Sequence, residues 1–124
     1  MKKLLLAFCV LIGFSGAGFA DPLTAPSLWR NQRGSELRIT AVGNNGSLRG
    51  TFTNYAPGYQ CQGIPYPIVG TTSPGPTTFT VNFVQCRTVT KWNGTASGFG
   101  MPTEWVLYYN GQTQTGSDFF FRVN

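Results

Sequence analysis

Apolar and polar residues alternate along most of this chain in short runs, and glycine, proline or asparagine ends nearly every run. Leu37, Ile39 and Ala41 share one side with Ser35, while Glu36, Arg38 and Thr40 share the other. The same two-residue period groups Leu48, Gly50, Phe52 and Asn54; Phe79, Val81 and Phe83; Thr88, Thr90 and Trp92; Trp105, Leu107 and Tyr109; and Asp118 with Phe120. Successive side chains of a strand point to opposite faces, so this period predicts strands rather than helices. Eight are expected, at about 27–32, 35–42, 47–55, 66–71, 77–84, 87–93, 103–109 and 117–123. Asn44-Asn45-Gly46 and Asn110-Gly111 are residues that tolerate positive φ, and they predict hairpin turns. Ser73-Pro74-Gly75-Pro76 breaks the chain before the fifth strand, and residues 56–64 form a longer loop holding Cys61. Short strands at regular spacing with turn signals make an all-β sandwich or barrel.

The inner faces are apolar for most of their length, but Ser35, Asn54, Thr88, Thr90 and Asp118 interrupt them. Burying a polar group without a partner costs roughly 1–3 kcal/mol. Several such groups on one face point to partners: one another, water, or a ligand. A closed barrel of eight strands has an interior that holds one small molecule. On the opposite faces, Val89, Val106, Tyr108, Phe119 and Phe121 are expected outside, and an apolar outer patch predicts a protein partner.

Composition narrows the class of function. The chain has 124 residues, only four acids and no histidine. Met1-Lys2-Lys3, an apolar run from Leu4 to Phe14 and small residues ending at Ala20 read as a secretory signal peptide, 1–20, removed before Asp21. The apolar run is shorter than the ~20 residues that span a bilayer, which argues against a membrane anchor. The remaining domain, 21–124, carries seven scattered bases and a net charge of +3. No basic cluster of the kind that grips nucleic acid is present. Cys9 leaves with the leader, so Cys61 and Cys86 remain, and an even count in an exported chain predicts a disulfide between them. Without histidine, without a free thiol and with one acid on an inner face, no general acid–base pair is available, and an enzyme is not expected.

Several phrases in order resemble the avidin family. They are Trp29 to Ser35 (WRNQRGS), Gly46 to Phe52 (GSLRGTF), Phe79 to Phe83 (FTVNF), Thr90 to Gly94 (TKWNG), Thr103 to Leu107 (TEWVL) and Gly116-Ser117-Asp118. Cys61 before Pro65-Tyr66-Pro67, with Cys86 ahead of the sixth strand, is similar to the dimeric bacterial avidins, rhizavidin among them. The resemblance implies an eight-stranded antiparallel up-and-down barrel, a homodimer, and high-affinity, non-catalytic biotin binding with no cofactor or metal. It implies that Asn31 and Ser35 donate to the ureido oxygen, that Asn54 and Asp118 accept from the ureido N–H groups, and that Thr90 donates to the thioether sulfur. Thr88, with the backbone of the 56–61 loop, would meet the valerate carboxylate. Trp92, Trp105, Phe83, Phe52 and Trp29 would form apolar walls.

Three departures bear on affinity. Phe52 stands where the family usually has tyrosine, removing one donor to the ureido oxygen; such a bond is worth about 1.5–3 kcal/mol. Phe83 replaces a larger wall tryptophan. The segment 110–115, expected as a loop, has no tryptophan to offer a neighbouring subunit, as in the dimeric relatives. The alternative expectation is therefore the same barrel holding a different small apolar ligand, with weakened biotin affinity. The leader predicts a secreted or periplasmic protein.

Overall fold

A computed structural model describes residues 23–72, 75–98 and 100–124. The leader at 1–20, with Ser73 and Pro74 of the break before the fifth strand, lies outside the described residues. Eight strands follow one another: β1 (Ser27–Asn31), β2 (Glu36–Val42), β3 (Ser47–Thr53), β4 (Pro65–Thr71), β5 (Thr77–Phe83), β6 (Thr88–Gly94), β7 (Gly100–Tyr109) and β8 (Gln112–Arg122). Each pairs antiparallel with the next, and β1 also pairs with β8, so the sheet closes into an up-and-down barrel. Closure leaves no strand edge without backbone partners.

Local chemistry sets the strand ends. Asn110 (φ 51°) and Gly111 (φ 77°) make a two-residue turn with both central residues left-handed, which matches the twist of the flanking strands. So tight a turn lets β7 and β8 pair continuously from Tyr109 opposite Gln112 to Gly100 opposite Phe121. β8 therefore begins at Gln112, and residues 112–115 of the segment expected as a loop are strand. β7 begins at Gly100, three residues before the expected start.

One inner-face expectation fails. The pairing of β2 with β3 shifts register between Ile39 and Ala41, which is a β-bulge. The extra residue reverses the alternation beyond it. Ala41 is exposed, and Val42 packs against the core in its place.

The barrel interior is filled from one end by aromatic and aliphatic side chains. Phe79 stacks on Trp92 at 4.9 Å, and Phe120 meets both Phe79 and Phe52 edge-on at 6.0 and 6.3 Å. Leu37, Ile39, Leu48, Val81 and Met101 complete this core. Each such side chain, fully buried, contributes roughly 1.5–3 kcal/mol. Outside, Tyr108, Phe119 and Phe121 are 48, 45 and 39% exposed, as the alternation predicts.

Candidate functional site

Strand register builds the site in rows. Across β5 to β8, Phe83, Thr88, Tyr109 and Gln112 stand side by side on the inner face. Val81, Thr90, Leu107 and Gln114 form the next row inward, then Phe79, Trp92, Trp105 and Gly116, then Thr77, Gly94, Thr103 and Asp118. The first row lies beside the 3-10 turn Val84–Cys86 and the Asn110-Gly111 turn, so this end carries the mouth. A cavity of about 290 Å³ opens there. Nine of the eleven residues expected to contact or enclose the ligand line it: Asn31, Ser35, Phe52, Asn54, Phe83, Thr90, Trp92, Trp105 and Asp118.

The polar groups are held by bonds that leave part of each free. Asn31 Oδ1 accepts from the backbone N–H groups of Arg33 and Ser35, both at 3.0 Å. That fixes the amide with its Nδ2 hydrogens turned away from the β1–β2 turn, where they remain to be donated. Ser35 Oγ accepts from Tyr55 N at 2.9 Å, so its own hydrogen is spare. Asn54 Oδ1 accepts from Ala56 N at 2.8 Å and keeps a second lone pair.

Asp118 is 5% exposed. Its Oδ1 accepts from Gln32 Nε2 at 2.8 Å and its Oδ2 from Trp92 Nε1 at 2.9 Å. Arg33 stands further off, with NH1 4.0 Å from Oδ1. The guanidinium is about half exposed, so solvent screening leaves that pair worth no more than about 1 kcal/mol. Two direct hydrogen bonds, not the ion pair, therefore orient the carboxylate. Arg33 also lies 5.9 Å from the Trp105 ring centre. Trp105 Nε1 is buried and has no hydrogen-bond partner among the described residues.

Thr88 does not line this cavity. It faces an adjoining one of about 390 Å³, and its hydroxyl is bonded to Tyr59 Oη at 2.9 Å. Trp29 departs from the expected wall. It is 2% exposed, its Nε1 donates to Ser27 Oγ at 3.1 Å, and it belongs to the core rather than to the cavity wall.

The loop between β3 and β4 covers part of the mouth. Ala56, Pro57, Gly58 and Tyr59 line the cavity. A disulfide between Cys61 and Cys86 ties this loop to the turn before β6, as expected. Tyr66 Oη donates to Gln85 Oε1 beside it. Burial pushes the Tyr59 phenol above the ordinary value of 10.0; the bond with Thr88 opposes the rise and Tyr66 adds to it.

Gln32 was not anticipated. It follows Asn31, so alternation sends it outward. Instead its amide curls back across the β1–β8 seam, donating to Asp118 and accepting from Phe119 N at 2.9 Å. Tyr59, Leu107 and Gln114 also line the cavity without having been singled out. Leu107 was legible from its phase with Trp105, and Tyr59 from its place in a loop pinned by a cysteine. Among the described residues, no group of three His, Cys, Asp or Glu side chains could hold a metal ion.

Residues 19–123 match the model of the avidin family. The chain is 38% identical to afifavidin of Afifella pfennigii, over 89% of this chain and 76% of that protein. Among solved structures it is similar to a bradavidin2–biotin complex, at 50% identity and TM-score 0.77, covering 82% of this chain and all of the other. It is similar as well to a rhizavidin–biotin complex, at 32% identity and TM-score 0.75, over 82% of this chain and 93% of that one. A closed barrel with this polar cavity, matched along nearly its whole length, makes the chain a member of the avidin family.

Proposed function

We propose that this protein binds biotin inside the barrel and carries out no reaction on it. The observation that carries the reading is the pattern of spare hydrogen-bonding capacity around one cavity. Asn31 and Ser35 keep donors, whereas Asn54 and the carboxylate of Asp118 keep acceptors. A cyclic urea needs donors at its oxygen and acceptors at its two N–H groups, and an ionised carboxylate makes the stronger of such bonds. Thr90 donates to the thioether sulfur. Trp92, Trp105, Phe52 and Phe83 enclose the rings and strengthen each polar contact by excluding water. The bradavidin2 and rhizavidin structures, both solved with biotin, support the same ligand. A different, wholly apolar ligand would leave the spare donors of Asn31 and Ser35 and the spare acceptors of Asn54 and Asp118 unused, which counts against it.

The leader supports export, to the periplasm or the medium. The aromatic outer face carrying Tyr108, Phe119 and Phe121 supports a homodimer. Titration of the mature protein with biotin, with its mass measured in solution by light scattering, tests both. Saturable binding at one biotin per chain and a mass of two chains are expected. No heat and no displacement at micromolar protein would overturn the ligand, and a monomer at the same concentration would overturn the dimer.

A further inference from the structure

Two charged side chains line the inner cavity, Asp118 and Arg33. Asp118 stands on β8, and Arg33 lies in the turn between β1 and β2. That turn is held in place. The Arg33 backbone N–H donates to Asn31 Oδ1 at 3.0 Å, and Gly34 takes φ 83° directly after it. The guanidinium then reaches across to β7 and β8. Its NH1 is 4.0 Å from Asp118 Oδ1, and its Cζ is 5.9 Å from the Trp105 ring centre.

At 4.0 Å the two groups share no hydrogen bond. Gln32 and Trp92 already orient the carboxylate, so its geometry does not need Arg33. What Arg33 alters is the electric field where Asp118 meets a ligand. A carboxylate alone among apolar walls would favour a cationic head group, because a charged donor is its strongest partner. With Arg33 beside it, a cation bound at Asp118 would sit close to a second cation, and like charges at short range repel. A neutral head group that presents N–H groups escapes that repulsion.

We propose that Arg33 is a specificity-determining residue, which makes the Asp118 site select a neutral cyclic urea over a cationic cyclic guanidine. This rests on the biotin reading above and deepens it. Asn31 and Ser35 would read the ureido oxygen, and Arg33 would read the charge of the ring.

The test compares biotin with 2-iminobiotin, its cyclic guanidine analogue. Like the arginine side chain, that guanidine is protonated at neutral pH. The two ligands carry the same tail, so the ratio of their affinities reports on the ring alone. Competition titrations at neutral pH would give this ratio for the unaltered protein, Arg33→Gln and Arg33→Lys. Arg33→Gln should cut the preference for biotin by about five-fold, the effect of one half-exposed charge. Arg33→Lys keeps the charge and should hold the preference within about two-fold. If Arg33 merely supported the Trp105 indole, both ligands would weaken together and the ratio would not move. That result, or an equal loss of preference in Arg33→Lys, would overturn the assignment. Failure of biotin to bind the unaltered protein would overturn the biotin reading itself, and the role of Arg33 with it.

Discussion

Trp105 lies across Gly116, its partner on β8, so closely that a β-carbon at 116 would fall 2.2 Å from Trp105 Cζ2. The glycine is required here by proximity, because the indole occupies the space a side chain would take. It lets a large wall residue lie flat against the sheet and leaves the channel open. Gly116→Ala should push the indole into the cavity. Such overpacking costs about 1–3 kcal/mol, so biotin affinity should fall by roughly ten-fold or more. A shift in tryptophan emission should accompany the loss. An unchanged titration would mean that Trp105 is not a wall of the site.

Asp118 serves the fold and the ligand at once. Asp118→Asn keeps the shape but turns an N–H group toward Gln32 or Trp92, each of which donates to it now. Leaving a buried donor unmatched costs about 1–3 kcal/mol. Denaturant unfolding should report a loss of that order. Biotin affinity should fall by about ten- to a hundred-fold, through the lost charge-assisted bond. A variant with reduced stability but unaltered affinity would remove Asp118 from the ligand site.

The disulfide joins residues separated by 25 positions. Closing a loop of that length in the unfolded chain is worth about 3 kcal/mol. Reduction, or Cys61→Ser with Cys86→Ser, should lower stability by about that amount. Residues 56–59 should also move more freely over the mouth, so biotin should leave faster while its association rate stays similar. Stopped-flow dissociation with and without reductant measures this directly.

Tyr59 gives a pH signature. Its folded pKa is raised above 10.0 because burial disfavours the phenolate. The unfolded chain therefore loses this proton first as pH climbs. The contribution is intact below pH 10 and is lost as pH rises through the folded pKa. Thermal unfolding should show a decline above pH 10 that Tyr59→Phe abolishes. At neutral pH, Tyr59→Phe should cost about 1 kcal/mol through the bond to Thr88.

Most of the strand plan was legible because it follows from a strictly local rule, and together with the family phrases that rule placed nine of the eleven expected residues at the cavity. Side chains alternate along a strand, so an inward phase can be read from Phe79, Val81 and Phe83 without knowing what they touch. The exceptions arise where that rule is interrupted. The bulge between Ile39 and Ala41 reverses the phase of β2, and only its pairing with β3 reveals it. Gln32 is outward by phase, yet it reaches a residue 86 positions away. Trp29 shares a family phrase with the site, but its indole is spent on Ser27.

Taken alone, the sequence determined an all-β chain of eight short strands, its turns, one disulfide partner set and the polar residues bound for the interior. The strands, turns and inward phases depend on φ preferences and a two-residue period, which neighbouring residues set between themselves, and the disulfide on two cysteines remaining after the leader. Tertiary structure decided the closure of β1 on β8, the placing of Thr88 at an adjoining cavity rather than the inner one, and which lone pairs and hydrogens remain free for a ligand. Those depend on register between distant strands. A hydrogen bond already made by Asn31 or Ser35 can be seen only when its partner is in place.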